Sequence, residues 1–265
     1  MTAGMPQQPH HNHDPKRDCA QSDNHTNNSQ IHKAPPGNDI PRDYGVSAAM
    51  AMRRSVRAFS DKPVDESTIR EILELAGLSP SGGNIQPWQI DVIRGETLTA
   101  LQRETTSYIQ RFGQSPKPEF ATYPSPLAPP YHQRRADCGE LMYQALGIAR
   151  EDKPARIAQT MANYAFFGAP VGILLSMDRA MGMPQAIDIG IYLHALMLLA
   201  QERGLATCPQ VSWTVFPQPV KTLLGMDDRR MLMAGLCLGY PAPDADVNQI
   251  HQPRAALENY VTFHR

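Results

Sequence analysis

Three arginines and a serine fall within five residues, Arg53-Arg54-Ser55-Val56-Arg57, and these residue types bind phosphate well. If the stretch is extended, its side chains alternate between two faces at a rise of about 3.3 Å per residue. Arg53, Ser55 and Arg57 would then form a row of donors roughly 13 Å long. Such a row could hold a phosphate at one end and a polar heterocycle at the other. A solvated basic turn beside acidic neighbours is the alternative.

A second polar segment lies one predicted helix downstream, at Ser79-Pro80-Ser81-Gly82-Gly83-Asn84-Ile85-Gln86-Pro87-Trp88. Its prolines and glycines exclude regular structure, and the paired glycines let backbone N–H groups approach a ligand. Ser81, Asn84 and Gln86 add side-chain donors and acceptors. The second segment favours ligand binding over a solvated turn.

The usual motifs of several enzyme classes are absent from the sequence. It contains no Gly-x-Ser-x-Gly elbow, no P-loop, no Gly-x-Gly-x-x-Gly fingerprint and no His-Glu-x-x-His pair. The chain offers donors without an activated nucleophile. This pattern favours an enzyme whose cofactor carries the chemistry.

Composition indicates one folded domain preceded by a polar tail. The chain has 265 residues and 42% hydrophobic content, which suffices for a packed core. Residues 1–44 are poor in large aliphatic side chains, so we expect disorder there and a folded domain over 45–265. His10, His11 and His13 could share a metal ion, but an unstructured leader explains them more simply. No metal site is predicted.

Charge and cysteine usage exclude some partners and compartments. The formal net charge of −1 gives no case for a nucleic-acid or anionic-membrane partner. Residues 187–200 form the most apolar stretch, which His194 interrupts and which is too short to span a bilayer. The first residues do not resemble a signal sequence. The four cysteines are far apart, so we expect reduced thiols and a cytoplasmic protein.

Interleaved helical and strand patterns predict an α+β domain with a mixed sheet. The predicted strands cover 88–94, 171–177, 205–211 and 231–238, and the predicted helices cover 47–52, 65–77, 96–112, 135–149, 154–166, 184–203 and 220–224. The helix over 184–203 is apolar on nearly all sides, which predicts burial all round, most naturally in a dimer interface. Residues 114–130 are rich in proline and predict a long loop, either a lid over an aromatic substrate or a surface that packs on a partner subunit.

Together the two polar segments resemble the FMN-dependent nitroreductase family. That family pairs an Arg-x-Ser-x-Arg or Lys segment with a Pro-Ser-Gly-Gly-Asn-x-Gln-Pro-Trp loop, and the resemblance runs from about residue 46 to the C-terminus. It implies a nitroreductase-like mixed sheet flanked by helices in an intertwined homodimer. It also implies noncovalent FMN and the use of NADPH or NADH to reduce nitroaromatic compounds to hydroxylamines by a ping-pong reaction.

The resemblance also implies roles for residues that bind the cofactor. Arg53, Ser55 and Arg254 match residues that hold the FMN phosphate and ribityl chain, and Arg54 flanks them. Arg57 matches a cation beside the pyrimidine edge of the flavin. A cation there would stabilise the negative charge gained on reduction.

Three further groups of residues follow from the same match. Pro80, Ser81, Gly82 and Asn84 match a loop that reaches the flavin from the other subunit. Backbone near flavin N5 and O4 is matched by Pro209, Gln210 and Val211, and Gly239 precedes the turn toward the C-terminal arginine. Substrate contacts are expected from Phe120, Tyr123 and Trp213. No acid or base is predicted among the matched residues.

Residues 134–150 and 166–170 look most like the nitrobenzoate and nitroaromatic reductase branch. Iodotyrosine deiodinases share the arginine segment, but Glu140 and Tyr143 have the wrong spacing for their lid and no lysine follows at the right distance. Two functions besides nitroreduction remain open. One is a flavin-dependent reductase of quinones, enones or halogenated aromatics, and the second is a non-enzymatic flavin-binding protein.

Overall fold

The computed structural model describes residues 45–113, 115 and 117–265. In chain order these residues form α1 (Val46–Met52), α2 (Glu66–Ala76), β1 (Gln89–Arg94), α3 (Gly95–Phe112), α4 (Tyr131–Ala145), α5 (Lys153–Met161), β2 (Val171–Asp178), α6 (Met183–Glu202), β3 (Ala206–Gln210), α7 (Pro217–Leu224) and β4 (Arg230–Gly239). The predictions about a disordered tail over 1–44 and about the histidines near its start lie outside the described residues.

The four strands form one sheet in the order β1-β2-β4-β3, and each neighbouring pair is antiparallel. β2 is buried along nearly its whole length, as its apolar sequence predicts. Ile173 and Leu175 pack with α2 and α6, whereas Leu174 faces the opposite side with α3 and α7. Because successive strand residues face opposite sides, this apolar run requires a helical layer on each side. The predicted α+β architecture is confirmed.

One helical layer is built by α2 and α6. Ile69, Ile72 and Ala76 are buried on α2 at the spacing of one helical face. They join Leu196 and Ala200 of α6 over the sheet. Burying an aliphatic side chain of this size stabilises a fold by about 1.5–3 kcal/mol, so this layer holds α6 firmly in place.

Two predicted helices have different boundaries in the structure. The helix predicted over 135–149 is α4, which begins at Tyr131 and ends at Ala145. Gly147 then adopts a φ of 65°, a left-handed conformation that ends a helix readily. The helix predicted over 154–166 ends at Met161, and a 3₁₀ segment with left-handed Phe166 and Phe167 follows it.

The prediction that residues 184–203 are buried all round is wrong for the single chain. Met183, Ile187 and Ile191 follow each other at four-residue intervals on an exposed side of α6. With 20 residues and a mean hydropathy of 1.4, α6 is long and apolar enough to cross a membrane. The core helices of soluble proteins meet the same two criteria. Here its other side packs on α2 and the sheet. The described residues leave this stripe exposed.

Candidate active site

The arginine stretch lies beside β3 as an additional extended segment. Ser55 forms an isolated parallel bridge with Thr207, and the Val56 N–H donates to the Thr207 carbonyl at 3.0 Å. Val56 is buried, whereas Ser55 and the three arginines are half-buried. The extended conformation predicted for this stretch is therefore observed, and the fold of the same chain holds it in place.

Positive charges converge at the start of this stretch. The pKa of Arg53 is lowered from its ordinary value, first by burial and then by the positive charge of Arg254. The Nη1 atom of Arg54 is also buried, and it has no hydrogen-bond partner among the described residues. Both like charges and a buried donor without a partner are costly unless an anion joins them. These residues fit a phosphate group.

The guanidinium of Arg57 lies back along the stretch. Its Nη1 donates to the Ser55 carbonyl at 3.2 Å, and its backbone N–H donates to Oδ1 of Asn248 at 2.9 Å. Asn248 is a buried residue that sequence analysis did not identify, because it lies in a polar connection without a motif. Arg57 is thus held through its backbone.

The glycine loop, residues 79–88, contains an unusual backbone. Gly83, Asn84 and Gln86 have φ values of 58°, 56° and 50°. Left-handed conformations at residues other than glycine cost of order 1–3 kcal/mol and cluster at ligand sites. The Ser81 hydroxyl accepts from the Gln86 N–H at 2.9 Å, which closes the loop on itself. The loop is shaped in advance rather than free to adopt many conformations.

Helix α6 anchors the glycine loop at both ends. The two carboxylate oxygens of Asp188 each lie 3.3 Å from the Gly82 N–H, which donates to them. Trp88 stacks on Tyr192 with ring centroids 4.9 Å apart. Asp188 is buried and was missed by sequence analysis. An acidic residue with apolar neighbours on both sides, inside an apolar helix, is the signal that could have revealed it, since a buried carboxylate needs a donor.

Much of the glycine loop is nevertheless exposed. Residues 82–86 and Pro80 are exposed, and a Cβ built on Gly82 or Gly83 meets open space. Among the described residues no hydrogen bond or ion pair joins this loop to the arginine stretch. The single chain therefore brings Arg53, Ser55 and Arg254 together but leaves the predicted loop contacts, Pro80 to Asn84, apart from them.

Pro209 and Gln210 end β3, directly after Cys208. Cys208 lies close enough to Arg53 to affect the pKa of its guanidinium. The Gln210 side chain turns into the core, where it donates to the Asn163 carbonyl at 2.7 Å and accepts from Trp213 at 3.0 Å. Val211 is exposed.

Trp213 cannot contact a substrate as predicted. Its side chain is 0% exposed and stacks on Phe166, with ring centroids 4.6 Å apart. A Cβ on Gly235 would lie 2.2 Å from the indole, so the neighbouring strand requires glycine to accommodate it. Trp213 is a core residue. The aromatic and apolar sequence around it did not distinguish a core position from a pocket wall.

Gly239 also has a packing role in the structure. It is buried, and a Cβ there would lie 2.7 Å from Pro170 and 3.2 Å from Phe59. Packing alone therefore explains the absence of a side chain at this position.

The proline-rich loop is fixed at one point and exposed beyond it. Glu119 has a side chain only 4% exposed, and it pairs with Arg179 at 2.5 Å and with Lys221 at 3.5 Å. Phe120 follows it and is half-buried, whereas Tyr123 is 51% exposed and lies 4.4 Å from the Arg135 guanidinium. These two aromatics remain candidates for substrate contact.

The described cysteines, at 138, 208 and 237, are free thiols. Cys208 and Cys237 are direct partners across β3 and β4 and are both buried. Burial raises the pKa of the Cys237 thiol above its ordinary value. A neutral thiol in this position is a poor nucleophile.

An α+β sheet between helical layers, with a cluster of cations beside β3 and a left-handed glycine loop, is the kind of site that suits a phosphate-bearing cofactor. The chain belongs to the nitroreductase family, whose model matches residues 50–240. It is 38% identical over 216 residues to a 4-nitrobenzoate reductase of Pseudomonas putida, covering 82% of this chain and 94% of that protein.

Two solved structures are similar along most of the chain. One is an FMN and NADPH-dependent nitroreductase NfnB from Sphigopyxis sp. strain HMH, 43% identical with a TM-score of 0.81, covering 84% of this chain and 100% of that one. The other is the FMN-dependent NfnB of Mycobacterium smegmatis in complex with NADPH, 32% identical with a TM-score of 0.79, covering 83% and 97%. The predicted family and fold are confirmed.

Proposed function

We propose that this protein binds FMN and uses NAD(P)H to reduce nitroaromatic compounds to hydroxylamines. The observation that carries the proposal is the approach of two positive charges, Arg53 and Arg254, beside the start of β3, for which the described residues supply no carboxylate. Arg54 adds a further cation in the same segment, with a buried Nη1 that has no partner among the described residues. The names of the similar proteins, a 4-nitrobenzoate reductase and FMN-dependent nitroreductases, support both the cofactor and the substrate class.

Each part of the site has a distinct task in this proposal. Arg53, Ser55 and Arg254 hold the phosphate and ribityl chain, and Arg54 adds its buried donor. Arg57 lies beside the pyrimidine edge of the ring, and backbone at 209–211 faces its reactive side. The glycine loop contributes Pro80, Ser81, Gly82 and Asn84 from the partner subunit. Phe120 and Tyr123 contact the aromatic substrate.

Bound FMN would supply two-electron transfer from NAD(P)H to the nitro group. The protein's own part is to place the nicotinamide and then the nitroarene over the same open face, which fixes the distance and orientation of the reacting atoms. Each hydroxylamine formed consumes two NAD(P)H and two protons and releases water. The matched residues include no acid or base, so the protons would come from water or the flavin.

We also propose a cytoplasmic homodimer with its folded domain over 45–265. An apolar strip on α1 and α6 supports this, because contiguous exposed apolar surface marks an interaction site. It comprises Val46, Met50, Met183, Ile187 and Ile191. Sedimentation should give a dimer, and deletion of residues 1–40 should leave the dimer, FMN content and activity intact. A monomer that still binds FMN tightly would contradict the dimer.

The cofactor is tested before the activity. The purified protein, reconstituted with FMN and desalted, should retain one FMN per subunit by visible absorbance. A colourless protein would overturn the proposal. Turnover of 4-nitrobenzoate with NADPH and with NADH then separates an enzyme from a flavin-binding protein, and a panel of quinones, enones and halogenated aromatics tests the remaining reductase activities.

A ping-pong reaction makes a separate kinetic prediction. Double-reciprocal plots at several fixed nitroarene concentrations should be parallel, because the product of each substrate leaves before the next substrate binds. Anaerobic NAD(P)H alone should bleach the flavin absorbance. Intersecting lines, with bleaching only when both substrates are present, would mean a ternary complex.

A further inference from the structure

Asn248 is a buried asparagine whose side chain uses all of its hydrogen-bonding capacity. Its Oδ1 accepts from the backbone N–H groups of Arg57 at 2.9 Å and Ala58 at 3.1 Å. Its Nδ2 donates to the carbonyls of Ala58 at 2.7 Å and Ala242 at 3.2 Å. An asparagine amide offers two lone pairs and two N–H groups, so each has a partner.

The surroundings also determine which way the amide faces. Two N–H groups lie on one side of it and two carbonyls on the other. Rotating the amide by half a turn would oppose donors to donors and acceptors to acceptors. The contact therefore requires a side chain of this length that accepts hydrogen bonds on one side and donates them on the other. Among the natural residues, asparagine meets this requirement.

These bonds join three parts of the chain. Ala58 and Ala242 also bond directly, from the Ala242 N–H to the Ala58 carbonyl at 3.0 Å, and Phe59 pairs with Pro241. Asn248 adds a hydrogen bond to the preceding residue, because its Oδ1 accepts from the backbone N–H of Arg57. It also lies six positions before Arg254 in sequence, at the turn from which the C-terminal segment departs.

We propose that Asn248 is a positioning residue for the flavin: by fixing the backbone of Arg57, it sets the distance between that cation and the pyrimidine edge of the ring. This inference rests on the proposed FMN site. The attraction between a cation and the charge gained on reduction falls with distance. Loosening Arg57 should therefore lower the reduction potential of bound FMN, in the same direction as removing Arg57.

The test compares Asn248→Ala, Arg57→Ala and the double variant, each loaded with FMN. Midpoint potential is measured by equilibration with a reference dye, and FMN affinity by fluorescence. Asn248→Ala should lower the potential and weaken FMN binding by about tenfold. Because Asn248 acts through Arg57, the potential of the double variant should equal that of Arg57→Ala alone. A wild-type potential in Asn248→Ala, or additive shifts, would overturn the inference.

Two controls separate positioning from general loss of stability. Ser176→Ala removes another buried hydrogen-bonding side chain, remote from this contact, and should lower the melting temperature without moving the potential. If Asn248→Ala does not fold, Asn248→Asp replaces it. Its carboxyl regains one donor when protonated, so its potential should approach that of the wild type as pH falls. A gap to the wild type that is independent of pH would contradict the inference.

The two proposals fail in different ways. Wild-type protein that takes up no FMN would overturn the cofactor and, with it, the positioning role. Wild-type protein that binds FMN, with Asn248 variants of unchanged potential, would overturn the positioning role alone.

Discussion

The arginine stretch is anchored to the sheet of its own chain, whereas the glycine loop contacts α6 and leaves most of its residues exposed. The arginine stretch has a parallel bridge to Thr207, and Asn248 accepts from the Arg57 N–H and bonds the next residue, Ala58. The glycine loop is held by Asp188 and by the stacking of Trp88 on Tyr192. Among the described residues, the arginine stretch is held against the sheet, whereas residues 82–86 of the glycine loop stay exposed.

With the homodimer proposed above, this difference would divide the site between two subunits. The loop's left-handed residues other than glycine store strain, which the bonds of Ser81 and Asp188 help to offset within the chain. Since the described part of the same chain gives this loop no bond to the arginine stretch, a second chain is the simplest source of one. The arginine half should control affinity for the phosphate, and the loop half should control assembly of the complete site.

The largest effect is expected at Arg53. Arg53→Ala removes a charge-assisted contact worth about 1.5–3 kcal/mol, so FMN affinity should fall by about ten- to a hundredfold, as measured by fluorescence titration. Arg103→Ala is the matched control, because Arg103 is exposed and pairs only with its neighbour Glu104 among the described residues. Equal affinity in the two variants would show that the cluster of cations does not bind the phosphate.

Mixed dimers test whether the two halves meet across subunits. Gly83→Val places a β-branched residue at a φ of 58° and should distort the loop, so this homodimer and the Arg53→Ala homodimer should both bind FMN poorly. Coexpression with two affinity tags isolates the mixed dimer. If the loop acts across subunits, one of its two sites is intact, and FMN content should recover to about half.

The mixed dimer should not recover FMN content if the two halves of the site come from the same chain. If loop and arginine stretch act within one chain, each site of the mixed dimer carries one defect. FMN content then stays at the level of the two homodimers, and the proposed division between subunits is wrong.

A smaller effect is expected at Asp188, which supports the loop from within its own chain. Asp188→Ala leaves the Gly82 N–H without its acceptor, and losses of this kind cost about 1–3 kcal/mol. FMN retention should fall several-fold while the dimer persists, by gel filtration with absorbance detection. Asp188→Asn keeps one acceptor oxygen, so FMN retention should fall less in this variant. A larger loss in the asparagine variant would contradict a hydrogen-bonding role.

The smallest effect is a dependence on alkaline pH at Tyr192. Burial raises the pKa of Tyr192 to about 12, from an ordinary value near 10. The folded state therefore favours the neutral phenol, and its stabilising contribution is complete below pH ~10 and lost as pH rises toward ~12. Tyr192→Phe should lose less stability than wild type between these values, by urea unfolding. Tyr164→Phe, in the opposite layer, should behave alike but leave Trp88 undisturbed.

Much of the fold could be predicted from periodicity. The apolar run of β2 and the spacing of Ile69, Ile72 and Ala76 predict their burial because both patterns follow from local geometry. Helix ends were less predictable. α4 lies four residues earlier than expected because a left-handed glycine, Gly147, ended it within a sequence that remains favourable for a helix.

Residue types alone could not separate a pocket wall from the core. Trp213 looked like a substrate contact, yet Phe166 and Gly235 enclose it. Conversely, Asp188 and Asn248 carried no motif, since their roles depend on backbone groups far away in sequence. Asp188 bonds Gly82, which is 106 positions away in sequence, and Asn248 bonds Arg57, which is 191 positions away.

The sequence by itself determined the elements, the cationic stretch and the glycine loop, because each depends on neighbouring residues. Tertiary structure alone decided that the arginine stretch aligns with β3, that Arg254 returns to Arg53, and that the described residues give the loop no hydrogen bond to the arginine stretch. Such placements arise from contacts between distant segments, whose geometry depends on how the whole core packs. A local pattern can specify what a segment is, but the packed sheet and helices specify what it meets.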